Sequence, residues 1–215
     1  MKARAQLSRK EAVMENKRIN PERFCSSEKE IDVGRNGYLC FLDGDLEAFS
    51  FIIEEYKNPL MLYINTFVGN IHLAEELTQE TFVQLGLKKP DFKGRSSFKT
   101  FLFAIGRNIT LSYLRRNPKR RNISEESLSE ILADERSVEE EYLRNEDAII
   151  LHRALSKIQP QYRQILWLTF FEGLSNSEAA VLMKKTKHGT ETLKYRAEKA
   201  LKTQLEKEGF IYENR

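Results

Sequence analysis

Apolar positions along this chain recur at spacings of three and four residues almost throughout, and strict alternation is nearly absent. That periodicity predicts helices rather than strands. From Gly37 to Asn70 the apolar series runs Leu39, Leu42, Leu46, Phe49, Ile52, Ile53, Tyr56, Leu60, Tyr63, Ile64 and Phe67. Asp43-Gly44 and Asn58-Pro59 punctuate it, so helix, break, helix is expected. A further helix is predicted from about Ile71 to Leu87, with Ala74, Leu77, Thr81, Phe82 and Leu85 on one side. Glu75, Glu76, Gln79 and Val83 share the opposite side. Ser97 is placed to cap a helix over 98–116, whose apolar stripe reads Phe98, Leu102, Ile105, Ile109 and Tyr113. Asn117-Pro118 stops it.

Beyond residue 117 the pattern weakens and returns at Asp147. Ile150, Leu151, Ala154, Leu155 and Ile158 form a stripe that Pro160 breaks, and 162–171 is again helical and very apolar. Ser175-x-x-Glu178 is a capping box that opens a short helix to about Lys184. Thr186 can cap the last helix, whose core side is Leu193, Ala197, Ala200, Leu201 and Leu205. The expected fold is all-α: two small helical domains, 37–117 and 147–208, joined by an acidic flexible linker, 118–146. Residues 1–36 are expected to be a loosely ordered extension.

Charge sharpens this outline. The net charge of the 215 residues is only +3, but its distribution is uneven. Between Lys88 and Arg121 stand eleven Lys or Arg and one acid. Asn122–Asp147 holds ten acids and two Arg, and Lys184–Lys207 holds eight Lys or Arg and three Glu. Two basic blocks around an acidic one suggest two contact sites for a polyanion. The two cysteines, Cys25 and Cys40, form no CxxC, and the three histidines are scattered, so neither a metal framework nor a disulfide scaffold is expected. No apolar run is long enough to span a membrane, and no apolar segment follows the basic N-terminus, so the chain is expected to be cytoplasmic and not membrane-inserted. There is no Gly-rich phosphate loop, HExxH or nucleophile motif, so no enzyme and no cofactor are expected.

Two constellations carry the functional reading. The helices over 176–184 and 187–206 are joined by a very short turn, the layout of a helix-turn-helix. Outside its core stripe the second helix offers His188, Glu191, Thr192, Lys194, Tyr195, Arg196 and Lys199 for base edges and phosphates. In the 98–116 helix, Phe101, Asn108 and Arg115 are seven apart and line one flank. An aromatic ring, an amide and a guanidinium in line can stack on a base, read its edge and hold a phosphate. On the residues alone, plainer readings stay open: a helical hairpin with a solvated basic face, Phe101 as core margin, and Arg115 complementing a helix C-terminus. The Glu75/Glu76/Gln79 face reads by itself as a solvated helix surface.

The segments LAEELTQETFVQL (Leu73–Leu85) and FKGRSSFKTFLFAIGRNITLSYLRR (Phe92–Arg116) resemble region 2 of bacterial sigma factors of the extracytoplasmic-function type. The stretch from Leu155 to Lys202 resembles their region 4, and the two come in the family's order with an acidic linker between them. The resemblance implies a subunit that binds core RNA polymerase, at the beta-prime clamp and the beta flap, and directs it to promoter DNA. It implies that Glu75, Glu76 and Gln79 dock on the clamp. It places Ser97, Lys99, Phe101, Arg107 and Asn108, with Arg115 beside them, in the region that melts and reads the −10 element. Glu191, Thr192, Tyr195 and Arg196 fall at −35 reading positions. An anti-sigma factor is an expected partner. Phe101 stands where the family usually has Trp, Ser112 replaces a frequent Asp, and Gly189-Thr190 replaces a common Thr-Val. Glu191 replaces a basic residue, which implies an unusual −35 preference, and Lys184 sits where Gly commonly ends the first helix of the motif. The rivals are a helix-turn-helix regulator acting without polymerase, and a helical protein that binds nucleic acid by charge alone.

Overall fold

The structure, a computed structural model, describes residues 32–118 and 146–210. The expected N-terminal extension, up to residue 31, and most of the acidic linker lie outside the described residues. Among the described residues every regular element is helical. In chain order these are α1 (Val33–Leu42), α2 (Leu46–Val68), α3 (Ile71–Lys88), α4 (Phe98–Arg116), α5 (Glu146–Lys157), α6 (Pro160–Leu166), a π-helical turn (Trp167–Phe171), α7 (Asn176–Met183) and α8 (Lys187–Lys207). They fall into two compact units, one up to Glu55 and one from Tyr56 onward.

The first unit begins earlier than the apolar pattern suggests. Asp32 caps α1 by accepting from the Arg35 backbone N–H at 3.1 Å, so the helix starts at Val33, within the stretch expected to be an extension. Its buried side is Gly34, Gly37, Tyr38 and Phe41. Leu39 and Leu46, expected in the core, are instead 41% and 72% exposed. Gly37 faces α2, where a Cβ would meet Ile52 Cγ1 at 3.4 Å, so this side of the helix lies close against its neighbour. Phe41 stacks on Phe49 with ring centroids 4.4 Å apart.

The expected break at Asn58-Pro59 is absent. Helix α2 runs through Pro59 without interruption. A proline inside a helix costs about 3 kcal/mol, through a lost hydrogen bond and a clash with the carbonyl four residues back. The burial that follows offsets it: Leu60, Tyr63 and Ile64 are all 0% exposed. At about 1.5–3 kcal/mol for each large apolar side chain, three such residues outweigh the penalty.

In the second unit α4 packs on α3, and its buried side is Phe98, Leu102, Phe103, Gly106, Thr110 and Leu114. The expected stripe is therefore turned by about one residue, roughly 100°. Ile105, Ile109 and Tyr113 are only half-buried. The cause is Gly106, where a Cβ would stand 2.9 Å from Leu60 Cδ1. That close approach selects the glycine side of the helix as the core side. Thr110 follows it inward because its hydroxyl donates to the Gly106 carbonyl at 2.8 Å. Tyr63 stacks on Phe103 at 5.2 Å, and Tyr56 meets Phe98 edge-on at 5.6 Å.

A buried arginine ties α6 to the end of α5. Arg163 donates through Nε to the Leu155 carbonyl at 2.9 Å and through Nη2 to the Ser156 carbonyl at 2.8 Å. These are the carbonyls that the end of α5 leaves without helical partners. Pro160 opens α6 at its first position, where its missing N–H costs nothing. Ser175 and Glu178 form the expected capping box of α7, and Thr186 caps α8 by accepting from Gly189 N–H at 3.1 Å. Lys184 ends α7 in the left-handed conformation, at φ 55°, and a short turn leads straight into α8.

Candidate nucleic-acid interface

The expected contact residues occupy three helix faces. On α3, Asn70 caps the helix, accepting from Leu73 N–H at 2.8 Å, and Leu73, Ala74, Leu77, Thr78, Thr81, Phe82 and Leu85 turn inward. Glu76 and Gln79 are left exposed, while Glu75 is half-buried and paired with Lys57 at 3.5 Å. Two apolar residues extend the outer face, Val83 at 51% exposure and Leu87 at 81%. Leu87 has no place in the periodic reading; its signal is an apolar residue out of register with the core stripe.

On α4 the structure separates the six expected residues. Asn108 and Arg115 are exposed and line one cleft of about 540 Å³ together with Arg107, Ser112 and Lys184. Arg115 donates to the Ser112 hydroxyl at 3.1 Å. Phe101 is half-buried at the edge of an aromatic cluster, its ring 5.0 Å from Phe92 and 6.1 Å from Phe98. Arg107 points its buried Nε inward, and its guanidinium lies beside the fully buried Tyr63 hydroxyl. Burial pushes the Tyr63 phenol far above its usual value, and the Arg107 charge pulls the other way.

Ser97 and Lys99 do not face solvent with the others. Ser97 caps α4, its Oγ accepting from Thr100 N–H at 3.3 Å, and donates to Glu178 Oε1 at 2.9 Å. Lys99 Nζ lies 2.6 Å from Glu172 Oε2 and 3.1 Å from the Glu172 carbonyl oxygen. The Glu172 and Trp167 roles were not legible in the sequence. The π-helical turn closes with Glu172 N–H donating to the Trp167 carbonyl at 3.1 Å, which brings the Trp167 indole N–H within 3.0 Å of Glu172 Oε1.

On α8 the periodicity is met. Of the expected core side Leu193, Ala197 and Leu205 are buried, Ala200 and Leu201 are only half-buried, and Thr190 joins them inside, while His188, Glu191, Tyr195, Arg196 and Lys199 are exposed. Tyr195 is 68% exposed, unusual for an aromatic residue with no solvent-side purpose. Thr192 donates to the His188 carbonyl at 3.0 Å. Lys194 leans away from this row, over the Phe170 ring at 4.7 Å and toward Glu198 at 3.9 Å.

An all-helical protein with a capped helix-turn-helix, a polar aromatic recognition face and a basic cleft on a second helical module belongs to the class of DNA-binding transcription proteins. Family models narrow the class. Sigma-70 region 2 matches residues 52–120, and Sigma-70, region 4 matches residues 148–201. The chain is 30% identical to the ECF RNA polymerase sigma factor BldN of Streptomyces coelicolor over 160 residues, 74% of this chain and 60% of that protein. It is 25% identical to the ECF RNA polymerase sigma factor SigW of Bacillus subtilis over 170 residues, 75% of this chain and 91% of that protein. Thus it spans less than two thirds of the length of BldN and most of SigW. Its fold is similar to CnrH, solved in complex with the cytosolic domain of CnrY: TM-score 0.58, 21% identity, 80% of this chain and 97% of that one covered. It is similar in fold to RpoE, solved with the anti-sigma factor NepR from Bartonella quintana: TM-score 0.58, 19% identity, 74% and 96% covered. The chain belongs to the RNA polymerase sigma factors, in their extracytoplasmic-function group, and its two helical domains are sigma regions 2 and 4. No helix among the described residues is long and apolar enough to cross a membrane.

Proposed function

We propose that the chain binds core RNA polymerase through the outer face of α3 and directs it to promoters. Residues 37–117 form the core-binding and −10 module, 147–208 the −35 module, and 118–146 the linker. In this reading Glu75, Glu76 and Gln79 meet the polymerase clamp. Phe101, Arg107, Asn108 and Arg115, with Ser97 and Lys99, take the −10 element as its strands part. His188, Glu191, Thr192, Lys194, Tyr195, Arg196 and Lys199 read or hold the −35 duplex. The polymerase supplies all bond-making, so the chain performs no catalysis, and it works in the cytoplasm.

The observation that carries this reading is the outer row of α8. Its exposed residues follow one face of a helix held by Thr186 and the short turn after Lys184, the placement that presents a recognition helix to a major groove. The matches to regions 2 and 4 support the roles of α3 and α4. An anti-sigma factor is a proposed partner, on the likeness in fold to RpoE, solved with one. Reconstitution with core polymerase tests the whole. Specific run-off transcripts from a cognate promoter are expected; absence of any binding to core would remove the reading and favour a polymerase-independent regulator.

A further inference from the structure

The outer row of α8 is basic around one acid. His188, Glu191, Thr192 and Tyr195 follow one another at helical spacing and so share one face. Exposed cations flank this face: Lys184 and Lys185 in the turn before α8, Lys187 at its start, and Arg196 and Lys199 further along. Glu198, also on α8, has a cation of its own, with Lys194 Nζ at 3.9 Å. The exposed Glu191 carboxylate makes no hydrogen bond or ion pair among the described residues. The backbone beneath it is fixed. Thr186 Oγ1 accepts from Gly189 N–H at 3.1 Å, and Thr190 Oγ1, in a fully buried residue, donates to the Thr186 carbonyl at 3.0 Å. Glu191 comes next, near the end of the helix by which a recognition helix enters a groove.

On a surface that holds DNA by charge alone, such a carboxylate is a cost, because it repels the phosphates that its neighbours attract. The cost is offset only where the carboxylate meets a donor, since it accepts hydrogen bonds and donates none. The DNA backbone has no donor to give it, so the donor has to be a base edge. Two exist in the major groove, the N4 amine of cytosine and the N6 amine of adenine. Adenine sets the acceptor N7 beside its amine, which repels the second carboxylate oxygen. Cytosine has no acceptor on its own edge there. Guanine and thymine present acceptors and no donor.

We propose that Glu191 selects a cytosine at one position of the −35 duplex by accepting from its N4 amine, and that the same carboxylate rejects guanine and thymine there by repulsion. This rests on the assignment of α8 to the −35 element. The lysines and arginine around Glu191 hold phosphates and supply affinity without sequence, while the acid supplies discrimination.

Transcription by the full-length chain with core polymerase, from a promoter library randomised across the −35 element, tests the assignment; the promoters that fire are read by sequencing. The wild type is expected to favour cytosine over guanine about tenfold at one position. Glu191→Gln carries an amide that both accepts and donates, so it is expected to move that position to adenine, through N6 and N7, and to leave the neighbouring positions as they were. Glu191→Ala is expected to level the four bases at that position to within about twofold. A wild type without a cytosine preference, or a −35 preference that both variants leave unchanged, overturns the proposal and makes Glu191 a solvated acid, while the specific transcripts themselves keep the promoter reading intact. A wild type that gives no specific transcript from any member of the library removes the promoter reading, and the cytosine assignment with it.

Discussion

Arg163 Nε stands 2.9 Å from the carbonyl oxygen of Leu155, eight residues back along the chain, and this bond ties α6 to the end of α5. Burial pushes the guanidinium down to about 10, which still leaves it charged at neutral pH. Charge-assisted bonds to carbonyls of this kind are stronger than neutral ones, and removing the donor leaves the carbonyls buried and unpaired. Arg163→Met should lower the stability of the folded chain by about 2–4 kcal/mol, measured by urea denaturation. Arg163→Lys should recover little, because an ammonium cannot reach two separate carbonyls as a planar fork does.

Gly106 fixes the approach of α4 to α2. Gly106→Val should destabilise by about 2 kcal/mol or more, since a branched side chain has to displace Leu60 Cδ1 from 2.9 Å in a fully buried site. A thermal midpoint equal to that of the wild type would mean that the helices can part without loss.

His152 gives the region 4 module a pH dependence of defined sign. It lies among the Trp167 and Phe171 rings, with centroids 6.4 and 6.5 Å away, and burial lowers its pKa below the usual 6.5. The unfolded chain thus takes up the proton first as pH falls. The stability associated with neutral His152 is complete above about pH 6.5 and is lost as pH falls through the folded value. Urea midpoints should therefore decline between pH 7 and 5 in the wild type and decline less in His152→Leu. Glu178 titrates lower: burial alone would raise it, but bonds from Ser175, Ser97 and Thr100 outweigh that and hold it below the usual carboxylate range. Its contribution is lost only at more acidic pH.

Lys184 adopts a conformation that disfavours a Cβ. Lys184→Gly should stabilise the chain by about 0.5–1 kcal/mol, the relief of left-handed strain less the added entropy of an unfolded glycine. Denaturant midpoints would read the gain.

The proposed surfaces should separate under mutation. Glu76→Lys with Gln79→Ala, both exposed on α3, should weaken affinity for core polymerase about tenfold or more without moving the thermal midpoint. Asn108→Ala should leave −35 duplex binding within about twofold of the wild type and reduce open-complex yield, read by permanganate footprinting. Equal yields would remove Asn108 from the −10 site.

Much of this protein is written locally. The 3.6-residue period, the caps at Ser97, Ser175 and Thr186, and the core side of α8 are determined by neighbours within one or two turns, so they can be read from the chain alone. The quoted segments also carry the resemblance that the family matches to regions 2 and 4 bear out. What the sequence could not decide depends on partners distant along the chain. Gly106 turns α4 because Leu60 fills the space where a Cβ would be, and Pro59 stays helical because the residues after it are buried. Ser97 reads as a helix cap and, with Lys99, falls by resemblance in the −10 region, but that they meet Glu178 and Glu172, more than seventy residues away, is not written in the chain. Periodicity records which side of a helix is apolar. Which side is approached most closely, and which polar groups lose their water, is settled only when the helices pack.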